Sequence, residues 1–416
     1  MDIRDARSSF PGLADKVFLD AACVSLTPVE AQRAIEELLR ATVACDARDA
    51  SSHHVWMDEL RQVAVREGAR LLEAGEDEIA LVESTTYGLN VAAQAIPFEP
   101  GDNVVIADLE FLQVAIPWVK LAERGSLAEV RLARNAGGAI PPEAIAEQMD
   151  ERTRAVVVSS VQWCNGYRLD LRALGELCRA RGAFLVVDAI QELGALRLSV
   201  RDAQVDLLVA GGHKWLNAPF GCGLMYVSRE AQPRLRQTTW GYLGLEPPEG
   251  GWPRYFATPS ITPLRPYEFP PTARRFEVNG TSNYPGAVGL AASLGLVSGI
   301  GIEAVEAHVL ALAGCLQDEL AALGVDVVTP PDPAARSGIT TFRVSDDPQE
   351  NADFVERLLD ERIFVSLRYT SGVGGIRVST HYFNDRDDLD ALLTAMRRLL
   401  ERSPYGLPTS RLPAPR

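Results

Sequence analysis

Short apolar runs alternating with segments of helical period constrain the fold of this chain more than any other feature. The runs are "EIALVES" (78–84), "NVVIAD" (103–108), "RAVVVSSV" (154–161), "FLVVDA" (184–189), "VDLLVAG" (205–211) and "GLMYVS" (223–228). Rich in Val, Leu and Ile and leading out through Ser, Asp or Gly, they read as buried strands ending in loops. Between several of them lie "YGLNVAAQAI", "QVAIPWVKLAERG" and "LRALGELCRARG", with apolar residues three and four apart and, in the last two, a closing Gly. This βαβ alternation predicts an α/β fold: a mainly parallel sheet with helices on both faces. Ligands of such sheets collect at the carboxyl ends of the strands, so chemistry is expected just after each run.

The pattern breaks at "WGYLGLEPPEGGWPRYFATPSITPLRPYEFPPTARRFEV" (240–278), whose Pro, Gly and aromatic content reads as an ordered excursion, a lid or a subunit contact. From about residue 284 a long helical stretch leads into shorter strands ("VDVVT", "ITTFRV", "GIRVST") and a closing helix. The division predicted is a large domain over 15–283 and a small α+β domain over 284–416, with residues 1–14 packing on the small one. The Pro-rich tail from Pro404 reads as frayed. A net charge of −15 argues against nucleic-acid or anionic-membrane partners. No apolar run approaches the ~18 residues of a membrane helix, and a cytoplasmic protein is expected. The six cysteines show no CxxC or Cys/His spacing, which predicts reduced thiols and no metal site.

Three strand exits carry candidate chemistry. Ser84, Thr85 and Thr86 stand between a strand and a helix, where hydroxyls and free N–H groups make either an anion site or an ordinary N-cap. Asp188 ends a fully apolar run, with Gln191 three residues on. A carboxylate there is costly to desolvate unless a protonated pyridine nitrogen, a metal or a structural partner meets it. His213 and Lys214 follow another run. The chain has only three lysines, Lys16, Lys120 and Lys214, among 41 basic residues. A lysine kept where Arg is the usual cation suggests amine chemistry, a Schiff base with a carbonyl, over a surface charge. Together, a phosphate cradle, a pyridinium partner and a reactive lysine are what pyridoxal phosphate (PLP) needs.

From about residue 17 to 400 the sequence resembles the class V aminotransferase and cysteine desulfurase-like group of fold-type I PLP-dependent enzymes. The resemblance rests on "VFLDAACVSLTP", "STTYGLN", "DLEFLQVAIPW", "VVDAIQELG", "GGHKW", "FEVNGTSNYPGAVGL" and "GGIRVSTHYFNDRDDLDAL", which follow one another in the group's order. It implies that Lys214 holds PLP as an internal aldimine and then shuttles the Cα proton. Asp188 would pair with the pyridine nitrogen, Gln191 with the ring 3′-oxygen, and Thr85, Thr86 and His213 with the phosphate. Gly280 and Thr281 would complete the phosphate site of a neighbouring subunit, which implies a homodimer with shared active sites. Phe111 takes the ring-stacking position. Arg377 would clamp the substrate carboxylate bidentately, with Arg368 a second substrate contact.

Two departures from the group matter. "YTSGVGGI", between Arg368 and Arg377, lacks the Cys that desulfurases carry there. In "SSVQWCNG" Trp163 replaces the usual Asn near the 3′-oxygen, leaving Gln162 or Asn165 as substitutes and Trp163 as a pocket wall. The expectation is therefore an enzyme acting on an α-amino acid through an aldimine and quinonoid. A C–S lyase or aminotransferase of specialised metabolism is preferred to a persulfide-forming desulfurase. An epimerase, a decarboxylase or aldolase-type enzyme, and a catalytically silent scaffold are the alternatives.

Overall fold

The computed structural model describes residues 2–278 and 280–401; the Pro-rich tail lies outside them. Two helices, α1 (Val29–Ala44) and α2 (Ala50–Leu71), precede the first large-sheet strand, β1 (Ile79–Val82). There follow α3 (Thr85–Ala95), β2 (Asn103–Ala107), α4 (Leu112–Glu123), β3 (Glu129–Ala133), β4 (Thr153–Ser159), α5 (Leu171–Arg181), β5 (Phe184–Asp188), β6 (Leu207–Gly211) and β7 (Gly223–Val227). They build a seven-stranded sheet in the order β1-β7-β6-β5-β4-β2-β3. Only β7 runs against the rest, antiparallel to β1 and β6. The α/β fold is as expected, and every apolar run is a strand. The addition is β3, "EVRLA", a half-exposed edge strand whose alternating charges gave no apolar run.

Neighbouring residues of each continuous run part to opposite faces. Val104, Val157, Val186 and Val209 pack under α3 and α4 with Val91 and Trp118. Val105, Val156, Val187 and Leu208 pack under α2 and α5, with Ala64 and Leu174. Gly88 sets the height of α3: a Cβ there would lie 2.4 Å from Val209 Cγ1, so only glycine lets the helix settle on β6.

The long helical stretch is two helices, α6 (Tyr284–Ile300) and α7 (Ile302–Leu323), bent by 81° at Gly301, whose φ is +95°. Leu290 and Leu294 of α6 join the large-sheet core, whereas Leu316 and Leu320 of α7 join the core of the smaller sheet. That sheet is antiparallel, with strands β8 (Asp326–Val327), β9 (Ile339–Arg343), β10 (Ser366–Thr370) and β11 (Val373–Ser379) in the order β10-β11-β9-β8. Helices α8 (Pro348–Asp360) and α9 (Arg386–Glu401) pack against it. At the N-terminus Arg7 bonds Phe383 O and Asp388, each at 2.8 Å, and Phe10 packs on Phe383 at 4.7 Å. Among the described residues no single helix is long and apolar enough to cross a membrane.

Candidate active site

The carboxyl ends of β2, β4, β5 and β6 meet along one edge of the large sheet. Asp188, last in β5, pairs in register with Ser159 of β4 and Val209 of β6. Its Oδ1 accepts the Ile190 N–H at 3.0 Å. Burial pushes its carboxyl up to about 6, opposed by that hydrogen bond and by Lys214.

Lys214 lies three residues beyond the end of β6 at Gly211, after Gly212 and His213. A Cβ on Gly212 would sit 2.7 Å from Cys222 O and 2.8 Å from Ala218 Cβ, so glycine is needed to fit the chain against its own next strand. Among the described residues the Lys214 ammonium makes no hydrogen bond or ion pair. Burial pushes it down to about 8, Asp188 holds it up, and Arg377 and Arg368 lower it further. His213 stacks on Phe220 at 4.7 Å, and burial with the nearby Lys214 pushes its imidazole down to about 4, neutral at pH 7.

Ser84 is the N-cap of α3, its Oγ accepting the Tyr87 N–H at 3.1 Å. Thr85 Oγ1 accepts the Gly211 N–H at 2.8 Å, which ties the helix start to the strand that presents Lys214. Ser84 does the capping, while the Thr85 and Thr86 N–H groups, with no partner one turn back, remain at the positive end of the helix. Phe111, at the start of α4, meets Trp163 edge-on at 5.3 Å.

On the far side stands Arg377, in β11. Its Nη1 donates to Trp163 O at 3.0 Å, and its Nη2 donates to Asp20 Oδ1 and Ser366 Oγ, each at 3.1 Å. Its Nε is buried without a partner among the described residues. Three of the five guanidinium donors are thus engaged, and a bidentate grip on a further carboxylate requires Asp20 or Ser366 to let go. Arg368 donates to Leu367 O at 2.8 Å and to Cys23 Sγ at 3.3 Å. The residues between the two arginines form a tight hairpin, with Ser371 and Gly372 at φ +47° and +78°.

Gln191 is deeply engaged with the protein: its Nε2 donates to Ala22 O at 3.1 Å and its Oε1 accepts from Trp215 Nε1 at 2.9 Å. One Nε2 hydrogen is left for any ligand. Of the two substitutes near Trp163, Asn165 is taken up by Gly138 O and Tyr167 N, whereas Gln162 Oε1 is buried and unpartnered. Gly280 and Thr281 stand apart. A Cβ on Gly280 would meet nothing within 4 Å, and Thr281 is exposed.

Three residues of this cluster were not singled out from the sequence. Glu110 is buried beside Asp188, bonded to Ser159 N and Gln162 Nε2 at 2.9 Å and to Ser159 Oγ; burial pushes it up to about 7, and Asp188 adds to the rise. It lies three residues beyond the end of β2, past Asp108, so the apolar run itself did not mark it. Asp20 and Cys23 reach the site because the segment after Phe18 runs beside the small sheet, Asp20 bridging to Ser379. No cysteine falls between the two arginines in sequence, yet the fold sets Cys23 against Arg368.

These groups fit PLP. A buried carboxylate with an open oxygen suits a protonated ring nitrogen, an unpaired amine suits the aldehyde, and a helix N-terminus suits the phosphate. The family model "Aminotransferase class-V" matches residues 17–392. A probable cysteine desulfurase of Methanothermobacter thermautotrophicus is 29% identical over 411 residues, covering 94% of this chain and 96% of that protein. The apo cysteine desulfurase of Thermococcus onnurineus NA1 superposes with a TM-score of 0.82 at 23% identity, covering 95% and 98%. The cystine C–S lyase C-DES, solved with cysteine persulfide, gives 0.81 at 22% identity over 92% and 98%, and a further structure of C-DES carries a PLP cofactor.

Proposed function

The chain belongs to the aminotransferase class-V family of PLP enzymes, and from that premise we propose that it is a C–S lyase or an aminotransferase acting on an α-amino acid. The tight Ser371–Gly372 hairpin carries the choice against a persulfide-forming desulfurase. Where the sequence group's desulfurases place a thiol on a loop, this chain turns in two residues and offers none.

PLP, when bound, supplies an electron sink for the pair left at Cα. Lys214 is the amine to hold it and, when released, to move the Cα proton. Asp188 keeps the ring nitrogen protonated. Thr85, Thr86 and His213 hold the phosphate, with His213 neutral and acting as a hydrogen-bonding group. Gln191 gives its remaining N–H to the 3′-oxygen, Phe111 and Trp163 wall the ring and side chain, and Arg377 with Arg368 orients the substrate carboxylate. Gly280 and Thr281 serve the site of a second copy in a homodimer. That reading is supported by the open space at Gly280, where a Cβ would meet nothing within 4 Å, and by the exposure of Thr281.

Cys23 is the specific observation that favours a second reading, because it is a thiol within reach of Arg368. A panel of amino acids scored for keto acid, ammonia and thiol release, run on the wild type and on Cys23→Ala, separates the two. The proposal expects Cys23→Ala to keep activity within about threefold, since no covalent role falls to it. Loss of sulfur release by orders of magnitude in Cys23→Ala establishes the desulfurase reading instead.

A further inference from the structure

Away from Lys214, the 240–278 excursion folds back on the start of α2 and encloses a cavity of about 470 Å³. That lies in the ~300–1,000 Å³ range of small-molecule pockets. The walls are aromatic: Trp56 from α2, and Tyr242, Trp252 and Phe256 from the excursion. Trp252 and Phe256 stack at 5.6 Å, and Tyr242 meets Trp252 edge-on at 5.2 Å. Two carboxylates, Asp58 and Glu59, and the Arg274 guanidinium share the lining. Arg274 answers Asp58 at 3.2 Å, whereas Glu59 is exposed and makes no ion pair among the described residues. Electron-rich ring faces around one uncompensated carboxylate attract a cation and disfavour an anion.

The cavity also has a fixed place in the fold. His54, another of its lining residues, bonds Tyr284 Oη at 2.8 Å, and Tyr284 opens α6 three residues beyond Thr281. If Gly280 and Thr281 serve the partner's phosphate site, as proposed above, the cavity lies beside that same site.

We propose that this aromatic cavity is the side-chain subsite of the neighbouring active site and takes an organic cation, so that the substrate is an amino acid ending in an alkylated ammonium or cationic ring. The inference rests on the shared-site reading of the dimer. The test titrates the holoenzyme with choline and with 3,3-dimethylbutan-1-ol, its uncharged isostere, following binding by calorimetry. The expected result is saturable choline binding at least about tenfold tighter than the isostere, a difference within the range of a desolvated cation–π contact. Choline should compete with amino-acid substrate, and Trp252→Ala and Glu59→Gln should each weaken it by about fivefold. Equal affinity for the two probes, no saturable binding, or binding unchanged in both variants overturns the cation site. Binding without competition against substrate overturns its assignment to the active site. Failure of the PLP reading shows separately, as a protein whose Lys214 retains no cofactor on borohydride treatment.

Discussion

Glu110 and Asp188 are buried close enough for each carboxylate to raise the cost of ionising the other. Glu110 is held up at about 7, against about 4.5 in an unfolded chain, so the folded protein binds a proton over that window that the unfolded one has lost. Its contribution to stability is complete below about pH 4.5 and disappears as pH rises through 7. Asp188, raised to about 6, acts in the same direction over a lower window. In the apoprotein, denaturant-determined stability should fall between pH 6 and 7 with a slope of up to about 1.4 kcal/mol per unit. Glu110→Gln should flatten that slope and also lower the one between about pH 4.5 and 6, where the remaining slope in this direction belongs to Asp188. An unchanged slope in Glu110→Gln would show that the carboxyl ionises normally.

Between elements, the contact that matters most to the site is α3 against β6. Gly88 permits it, and Thr85 Oγ1 completes it by accepting from Gly211 N. Gly88→Ala puts a methyl within 2.4 Å of Val209 and must lift the helix start away from the strand. The expected outcome is a loss of stability of about 1–3 kcal/mol from overpacking. A weaker hold on PLP should accompany it, read as a raised dissociation constant in apoenzyme reconstitution. Elements were legible in the sequence where the physics is local. Buried strands advertise themselves as apolar runs, and their exits marked Asp188, Thr85 and Lys214. The edge strand β3 did not, because half its surface faces water and its charges interrupt the pattern. Gln191 and Asn165 could not be weighed from sequence, since their partners Ala22, Trp215 and Gly138 are neighbours only in space. Asp20 and Cys23 lay further out of reach, 357 and 345 residues from the arginines they meet.

For the whole molecule, the shared-site reading makes a prediction that no single-chain account shares. A Lys214→Ala protomer lacks the amine, and a Thr281→Arg protomer would block the phosphate site it lends to its neighbour. Either homodimer should be inactive. When the two are unfolded together and refolded as a mixture, each hybrid dimer recovers one intact site, because both lesions then fall on the other. Activity in the mixture, absent from both parents, is the expected result, measured with the substrate found by the amino-acid panel. Inactivity of the mixture, with hybrid dimers demonstrated by size and mass, would put Gly280 and Thr281 in the same site as their own Lys214, and an active Thr281→Arg homodimer would place them outside the site.

With Arg377 as the carboxylate clamp proposed above, its resting partnership with Asp20 and Ser366 makes substrate capture an exchange equilibrium. An incoming carboxylate gains only the difference between its own bond to the guanidinium and the one it displaces, so the clamp discounts every anion equally before it chooses among them. Asp20→Asn removes the resident competitor. It should tighten simple carboxylate inhibitors such as acetate and the true substrate by the same factor, a gain in grip that leaves discrimination unchanged, read as inhibition constants and KM falling in parallel.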